Sequence, residues 1–382
     1  NTYFAAIIIF TLASLGCGFS STLNELIFYR VLQGVGGALL MPVGRLAMLK
    51  IIPRQQFLSA MSLMSLAGLL GPLMGPTLGG WMVEYASWHW IFLINLPMGL
   101  LGAWMTFKIM PNVKETSVKR FDFMGFVLLF IAMVGLSLGI ENFAQPTQSL
   151  WFTLSLILCS LMAMMWYAYH AHTHQNALFR SQLFANRNFT LGILGNSFAR
   201  LGGNAIPFIL PLMLQVVFGF DALTTGLLMI PTVLGSLASK PIIRRLIQFF
   251  GYRRFLVSNT LLLGLCIASF ALTHADMPLW LRAMHFFIFG LLNSLQFVGM
   301  NTFTLKDLSQ QHASSGNSFL SMIMMLAMTI GVALAGTLVN LFSAYLGAAQ
   351  IEQAFHFSLL CLGAINLIAA AIFWQIPKTE RA

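Results

Sequence analysis

The chain has 382 residues, of which 58% are hydrophobic and only 8% charged, with a formal net charge of +10. A soluble domain carries about 25% charged residues, and the polar residues here are too few to cover so apolar a core, so a soluble globular protein is excluded and a lipid solvent is called for. Cys17, Cys159, Cys266 and Cys361 stand singly in apolar stretches without CxxC spacing and read as packing residues, with neither a disulfide frame nor a zinc site.

A membrane-crossing helix needs roughly 20 apolar residues. Twelve stretches satisfy this, near residues 3–19, 26–49, 57–83, 88–107, 122–140, 150–169, 189–217, 223–239, 255–272, 279–304, 314–344 and 353–374. Sixteen of the twenty Lys and Arg residues lie in alternate connections and at the C-terminus, with the densest group at Lys240, Arg244, Arg245, Arg253 and Arg254. The intervening connections hold Glu25, Glu84, Glu141, Asp221, Asp276 and Glu352 without a cation. The positive-inside rule then predicts a cytoplasmic location for the basic set and for both ends of the chain. The charge is therefore a topology signal, and a nucleic-acid partner is discarded. No secretory signal precedes the first stretch, and the sequence opens at Asn1 almost directly on apolar residues, which hints at a missing beginning.

In the second stretch Arg30, Gln33, Gly34, Gly37, Met41, Gly44 and Arg45 fall on one helical face. The two arginines stand roughly 22 Å apart along the axis, most of the hydrocarbon thickness. A cation at membrane depth normally faces a partner or a wet cavity, which makes Arg30 a candidate for a transport pathway. Arg45 is expected to snorkel to the headgroups. The third stretch contains GLLGPLMGPTLGGWM, where Gly71, Gly75 and Gly79 recur every fourth residue, followed by Gly80, with Pro72 and Pro76 interleaved. Such glycines allow close helix approach, and each proline removes a backbone hydrogen bond, so this helix is expected to be both tightly packed and bent.

These segments together resemble the major facilitator superfamily and, within it, the fourteen-helix drug:proton antiporters of the EmrB/QacA type, closest to the MdtD-type subfamily. RVLQGVGGA at 30–38 is similar to the motif of that family's fourth helix, GPLMGPTLGG at 71–80 to the antiporter motif of its fifth, and SWHWIFLINLPMG at 87–99 to the signature opening its sixth. Residues 219–236 and 313–336 resemble segments of its C-terminal half. The motifs occur here in the second to fourth stretches, so the resemblance implies an all-α polytopic fold holding helices 3 to 14 of fourteen, without the first two. It also implies three regions: an incomplete N-terminal bundle at 1–110, a linker pair of helices at 111–188 and a six-helix bundle at 189–382. RRLIQFFGYRRF at 244–255 resembles the family's conserved loop after its second helix, keeping Gly251 and Arg253 as a basic cytoplasmic cap, with Gln248 and Arg244 in place of the usual Asp and Gly. His89 stands where many relatives have Arg, between Trp88 and Trp90, and reads as an interfacial residue.

The function implied is proton-coupled export of small amphipathic molecules across a bacterial inner membrane by a monomer. It would need no cofactor beyond a proton gradient and no partner beyond substrate and lipid. Coupling requires a group that titrates within the membrane, yet no carboxylate lies in mid-stretch. In the family that acid commonly lies in the first helix, so these 382 residues alone are expected not to couple. Arg200 and Asn204 join Arg30, Gln33, Gly34 and Gly37 as pathway candidates, and Asn95, Asn196, Gln215, Asn293, Gln296 and Asn301 read chiefly as interhelical amides. Arg30 and Arg200 keep open a small organic anion as substrate. A sensor or scaffold with a transporter fold also stays open, whereas an intramembrane enzyme is disfavoured by the lack of HExxH, a mid-membrane aspartate pair or a Ser/His arrangement. His170, His172 and His174 read as a solvated cytoplasmic cluster, with no metal assigned.

Overall fold

The structure is a computed structural model and describes residues 2–53, 56, 57, 59–61, 63, 64, 71, 75, 78–82, 85–110, 121–144, 149–174, 176–347 and 350–377. Among these residues no strand occurs, and nine helices are long and apolar enough to cross a membrane, joined by two shorter apolar ones at Thr2–Gly18 and Leu223–Ala238. Most of the stretch predicted at 57–83 lies outside the described residues. Large apolar side chains point outward along the helices, Phe107 and Trp151 being about four-fifths exposed (80% and 82%), as lipid requires and water would penalise.

The chain divides into two compact units, Asn1–Phe57 with Met74–Val118, and Leu58–Leu73 with Lys119–Ala382. The first holds α1 (Thr2–Gly18), α2 (Leu23–Ile51), the single turn α3 (Trp90–Leu93) and α4 (Asn95–Ile109). Helix α2 starts where Thr22 accepts the Glu25 N–H at 3.3 Å while Glu25 accepts the Ser21 and Thr22 N–H groups at 2.9 and 3.3 Å, a reciprocal capping box. It packs on α1 through Gly36, where an added Cβ would meet Phe10 N at 2.6 Å and Ala6 O at 2.9 Å. Gly34 and Gly37, the pathway candidates of the sequence pattern, are less crowded: Gly34 has open space around it and Gly37 meets the Phe10 ring at 3.5 Å.

The second unit contains α5 (Phe123–Ala144), α6 (Leu150–Thr173), α7 (Arg187–Gly203), α8 (Ile206–Val216), α9 (Ala222–Ala238), α10 (Lys240–Ser269), α11 (Leu279–Leu305), α12 (Gln310–Leu346) and α13 (Ile351–Trp374). Helices α5 and α6 pair with each other, α9 with α11, and α10 with both α11 and α13, while α7 lies against α11, α12 and α13. Burial on several sides explains why α7 is glycine-rich: an added Cβ at Gly202 would meet Leu362 O at 2.7 Å. Phe270, Phe286, Phe289 and Phe355 fill an apolar core shared by α8 to α13.

One expectation changes here. The cap segment before Gly251 is helical, with Ile243 and Ile247 buried one turn apart while Arg244 and Arg245 face outward, the one-sided pattern that a helix lying along a bundle needs. It breaks only at Gly251, whose φ of 72° favours glycine. In the antiporter-like segment, a Cβ built on Gly71, Gly75 or Gly79 meets nothing within 4 Å among the described residues; Gly80 is half-buried, and Pro72, Pro76 and most of the segment lie outside them.

Close glycine packing is found between α9 and α11. A Cβ on Gly290 would fall on the Thr232 carbonyl, and Ser236 donates to the Gly290 carbonyl at 3.1 Å. Gly290→Val should therefore lower thermal stability in detergent by about 1–3 kcal/mol or more, the usual cost of overpacking. Unchanged melting would show that the α9–α11 crossing is not tight.

Candidate functional site

Polar groups inside an apolar bundle must find partners within the protein, and in the second unit they gather around α7. Arg200, 4% exposed, donates from Nε to Asn196 Oδ1 at 3.0 Å and from Nη2 to Asn301 Oδ1 at 3.2 Å. Asn196 passes the link onward, its Nδ2 donating to Thr304 Oγ1 at 3.1 Å. The guanidinium also lies 4.7 Å from the Phe297 ring centroid, a favourable cation–π distance. Asn196 and Arg200 are one turn apart on α7, and Asn301 and Thr304 are three apart on α11, so each pair shares a helical face. Because Asn301 Oδ1 is committed to Arg200, its buried Nδ2 points inward as a donor with no hydrogen-bond partner among the described residues. That amide N–H is a donor suited to an acceptor group of a ligand.

Asn204 lies half-buried at the end of α7, its N–H donating to the Arg200 carbonyl at 2.9 Å. A second network ties α10 to α11: Asn259 Nδ2 donates to Gln296 Oε1 at 2.8 Å, and Gln296 Nε2 to Thr260 Oγ1 at 2.8 Å. Gln296 is therefore committed to helix pairing, while Gln215 is exposed and Asn95 and Asn293 half-buried.

The first unit has its own polar chain. Arg30 Nη1 donates to Gln33 Oε1 at 2.6 Å, Gln33 Nε2 to Ser14 Oγ at 2.7 Å, and Ser14 Oγ to the Phe10 carbonyl at 2.8 Å. Arg30 is exposed and lies 5.7 Å from the Phe92 ring, whereas Gln33 is buried. Arg45 departs from expectation: it is fully buried rather than snorkelled, on the inward face of α2. His89 stacks on Trp88 with ring centroids 3.8 Å apart.

The cap residue Arg253 lies over the Trp374 ring at 4.7 Å. Beside it, the break at Gly251 helps line a cavity of about 760 Å³ with Gln248, Phe249 and Arg254. Of the histidines at the end of α6, His172 and His174 are exposed as expected, whereas His170 is buried, 2.9 Å from Asp122 Oδ1 and stacked on His174. Asp122 Oδ1 also accepts the Gly125 N–H at 2.9 Å and its Oδ2 the Leu178 N–H at 3.2 Å, pinning the segment after α6 to the start of α5. The separation of 48 positions between Asp122 and His170 hid this pair from sequence reasoning. A further residue missed is Arg282, a lone cation in LWLRAMHFF that is fully buried. Asp122→Asn should speed amide exchange at Leu178 and its neighbours roughly tenfold, matching a lost charge-assisted bond of about 1.5 kcal/mol. Unchanged exchange would show that other contacts hold the segment.

Comparison with known proteins places this geometry in a family. The model of the Major Facilitator Superfamily matches residues 1–331 and 192–382. MdtD of Yersinia enterocolitica, a protein named for multidrug resistance, is 46% identical over 378 residues, covering 98% of this chain and 80% of its own length. The MdtD proteins of Citrobacter koseri and Yersinia pestis are 46% and 47% identical, covering 99% and 100% of this chain and 81% and 82% of theirs. Among solved structures, a double-tryptophan mutant of XylE aligns with a TM-score of 0.62 at 14% identity, over 99% of this chain and 80% of that one. The human organic anion transporter MFSD10 aligns with a TM-score of 0.65 at 12% identity, over 97% and 76%. Those two likenesses speak for the fold alone. The family match, the relatives and the succession of apolar helices agree that this chain is a multi-pass membrane transporter, not an enzyme, and belongs to the Major Facilitator Superfamily.

Proposed function

We propose that the protein exports small amphipathic molecules across a bacterial inner membrane as a monomer, driven by the proton gradient, with both ends of these 382 residues on the cytoplasmic side. The observation that carries this reading is the buried donor cluster of Arg200 and Asn301 on α7 and α11. A guanidinium and a spare amide donor beside the Phe297 ring form an amphipathic surface: the donors take the polar group of a substrate and the ring its apolar part. Asn196 and Thr304 hold the guanidinium in position, and Asn204 ends the helix that carries it. In the first unit, Arg30, Gln33, Gly34 and Gly37 supply a polar and small face of their own. The multidrug-resistance name of the relatives supports export of drug-like compounds, and the likeness of residues 71–80 to an antiporter motif supports proton exchange. Gly251 and Arg253 form the cytoplasmic cap, and the basic connections support the orientation.

Export of a small organic anion is a second reading. It is favoured by Arg30, which stands exposed beside Gln33 and Phe92, and by the position of the described carboxylates at helix ends or in connections. A cation at such depth attracts negative charge.

Accumulation of amphipathic dyes and of small anions, compared in cells with the gene intact and deleted, tests the proposal. Deletion should raise accumulation, a protonophore should abolish the difference, and Arg200→Ala should lower the export rate roughly 10- to 100-fold, the worth of one or two charged hydrogen bonds. Arg200→Lys should keep part of the activity, since it retains charge but loses the two-pronged geometry. Equal accumulation with and without the gene would favour a sensor or scaffold. Export indifferent to the protonophore would overturn proton coupling.

A further inference from the structure

A second cluster lies at the opposite end of α13 from the Arg253–Trp374 contact. Glu352 and His356 sit one turn apart at the start of α13, so both side chains project from the same face. His274, in the connection between α10 and α11, closes the group. Its Nδ1 is 3.4 Å from Glu352 Oε1, which is 3.9 Å from His356 Nε2, and one donor atom from each residue fits within 4.8 Å of the others. His274 is largely exposed and the other two half-buried, so the group is open to solutes yet anchored.

The connection carrying His274 is held from below. Buried Arg282 donates from Nη2 to the His274 carbonyl at 2.5 Å and to the Ala275 carbonyl at 2.6 Å. Its guanidinium also lies 5.0 Å from the Phe218 and Phe220 rings. A fully buried arginine spent on two loop carbonyls is a costly device unless the loop's position matters, and what it fixes is the backbone of His274.

We propose that His274, Glu352 and His356 form a binding site for a divalent transition metal. Two imidazoles and one carboxylate are a donor set favoured by zinc and its neighbours, with a fourth position left for water. Tetrahedral zinc, with bonds of about 2.0–2.1 Å, places its donor atoms about 3.3 Å apart. The existing separations of 3.4 and 3.9 Å and the 4.8 Å limit therefore require small side-chain rotations only. His356 Nε2 lies 3.2 Å from the Thr273 carbonyl. Coordination through that nitrogen gives up this bond, with the ring proton carried on Nδ1. The bound ion ties the connection between α10 and α11 to the first turn of α13. None of these residues belongs to the Arg200 cluster, so the site stands or falls independently of the export reading. The sequence hides it, because His274 and Glu352 are 78 residues apart.

The test uses the full chain, purified in detergent without a histidine tag and stripped with EDTA. Zinc is titrated by calorimetry against a chromophoric chelator. The wild type should bind one equivalent saturably and melt at higher temperature with zinc present. His274→Ala, Glu352→Gln and His356→Ala should each weaken binding roughly tenfold or more, and His172→Ala should leave it unchanged. Zinc-edge X-ray absorption on the wild type needs no variant and should report two imidazoles with oxygen completing the shell. Absence of saturable binding, affinity unaltered in all three variants, or a shell containing sulfur or oxygen alone would overturn the proposal.

Discussion

The structure depends on one constraint: a hydrogen-bonding group in a lipid-embedded helix has no water to turn to, so its partner must come from the protein. Hydroxyls meet it most cheaply by donating to the carbonyl one turn back, as Thr11, Ser197, Thr302 and Ser358 do. Longer amide and guanidinium groups can also reach across to neighbouring helices. Gln33 joins α2 to α1, Gln296 joins α11 to α10, and Arg200 joins α7 to α11. These polar links fix which helices pair and in what register, in a setting where apolar contacts alone discriminate weakly.

Close approach is the second requirement, because short side-chain bridges need adjacent backbones. Gly36 on α2, Gly202 on α7 and Gly290 on α11 each stand where a Cβ would strike another helix. Small residues and polar bridges therefore work as pairs: Gly202 lets α13 press on α7 two residues from Arg200, and Gly290 admits the Ser236 bond. The same logic shapes the end of the second unit bearing Arg282, where a buried cation is matched with carbonyls and aromatic faces.

The helical class and most segment positions were legible because membrane helices announce themselves by long apolar runs, and Arg200 drew attention because an arginine inside such a run is rare. The family was legible from 30–38, 71–80 and 87–99, three motifs in order. Which glycines admit a neighbouring helix was not legible: the described packing uses Gly36, Gly202 and Gly290, to none of which the sequence pattern assigns that role. Spacing reveals a face, not what lies opposite it. Arg45 was misjudged for the same reason, since its position near a helix end suits snorkelling until a neighbour covers it. The His170–Asp122 pair and the His274–Glu352–His356 group join residues dozens of positions apart, and only the fold brings them together.

The central claim is that the Arg200–Asn301 cluster acts as one unit in handling substrate. A double-mutant cycle on transport rate, with Arg200→Ala, Asn301→Ala and the pair, measures that most directly. The account predicts strong non-additivity, with the double variant no slower than Arg200→Ala alone. Independent, additive losses, or full transport by Arg200→Ala, would contradict it.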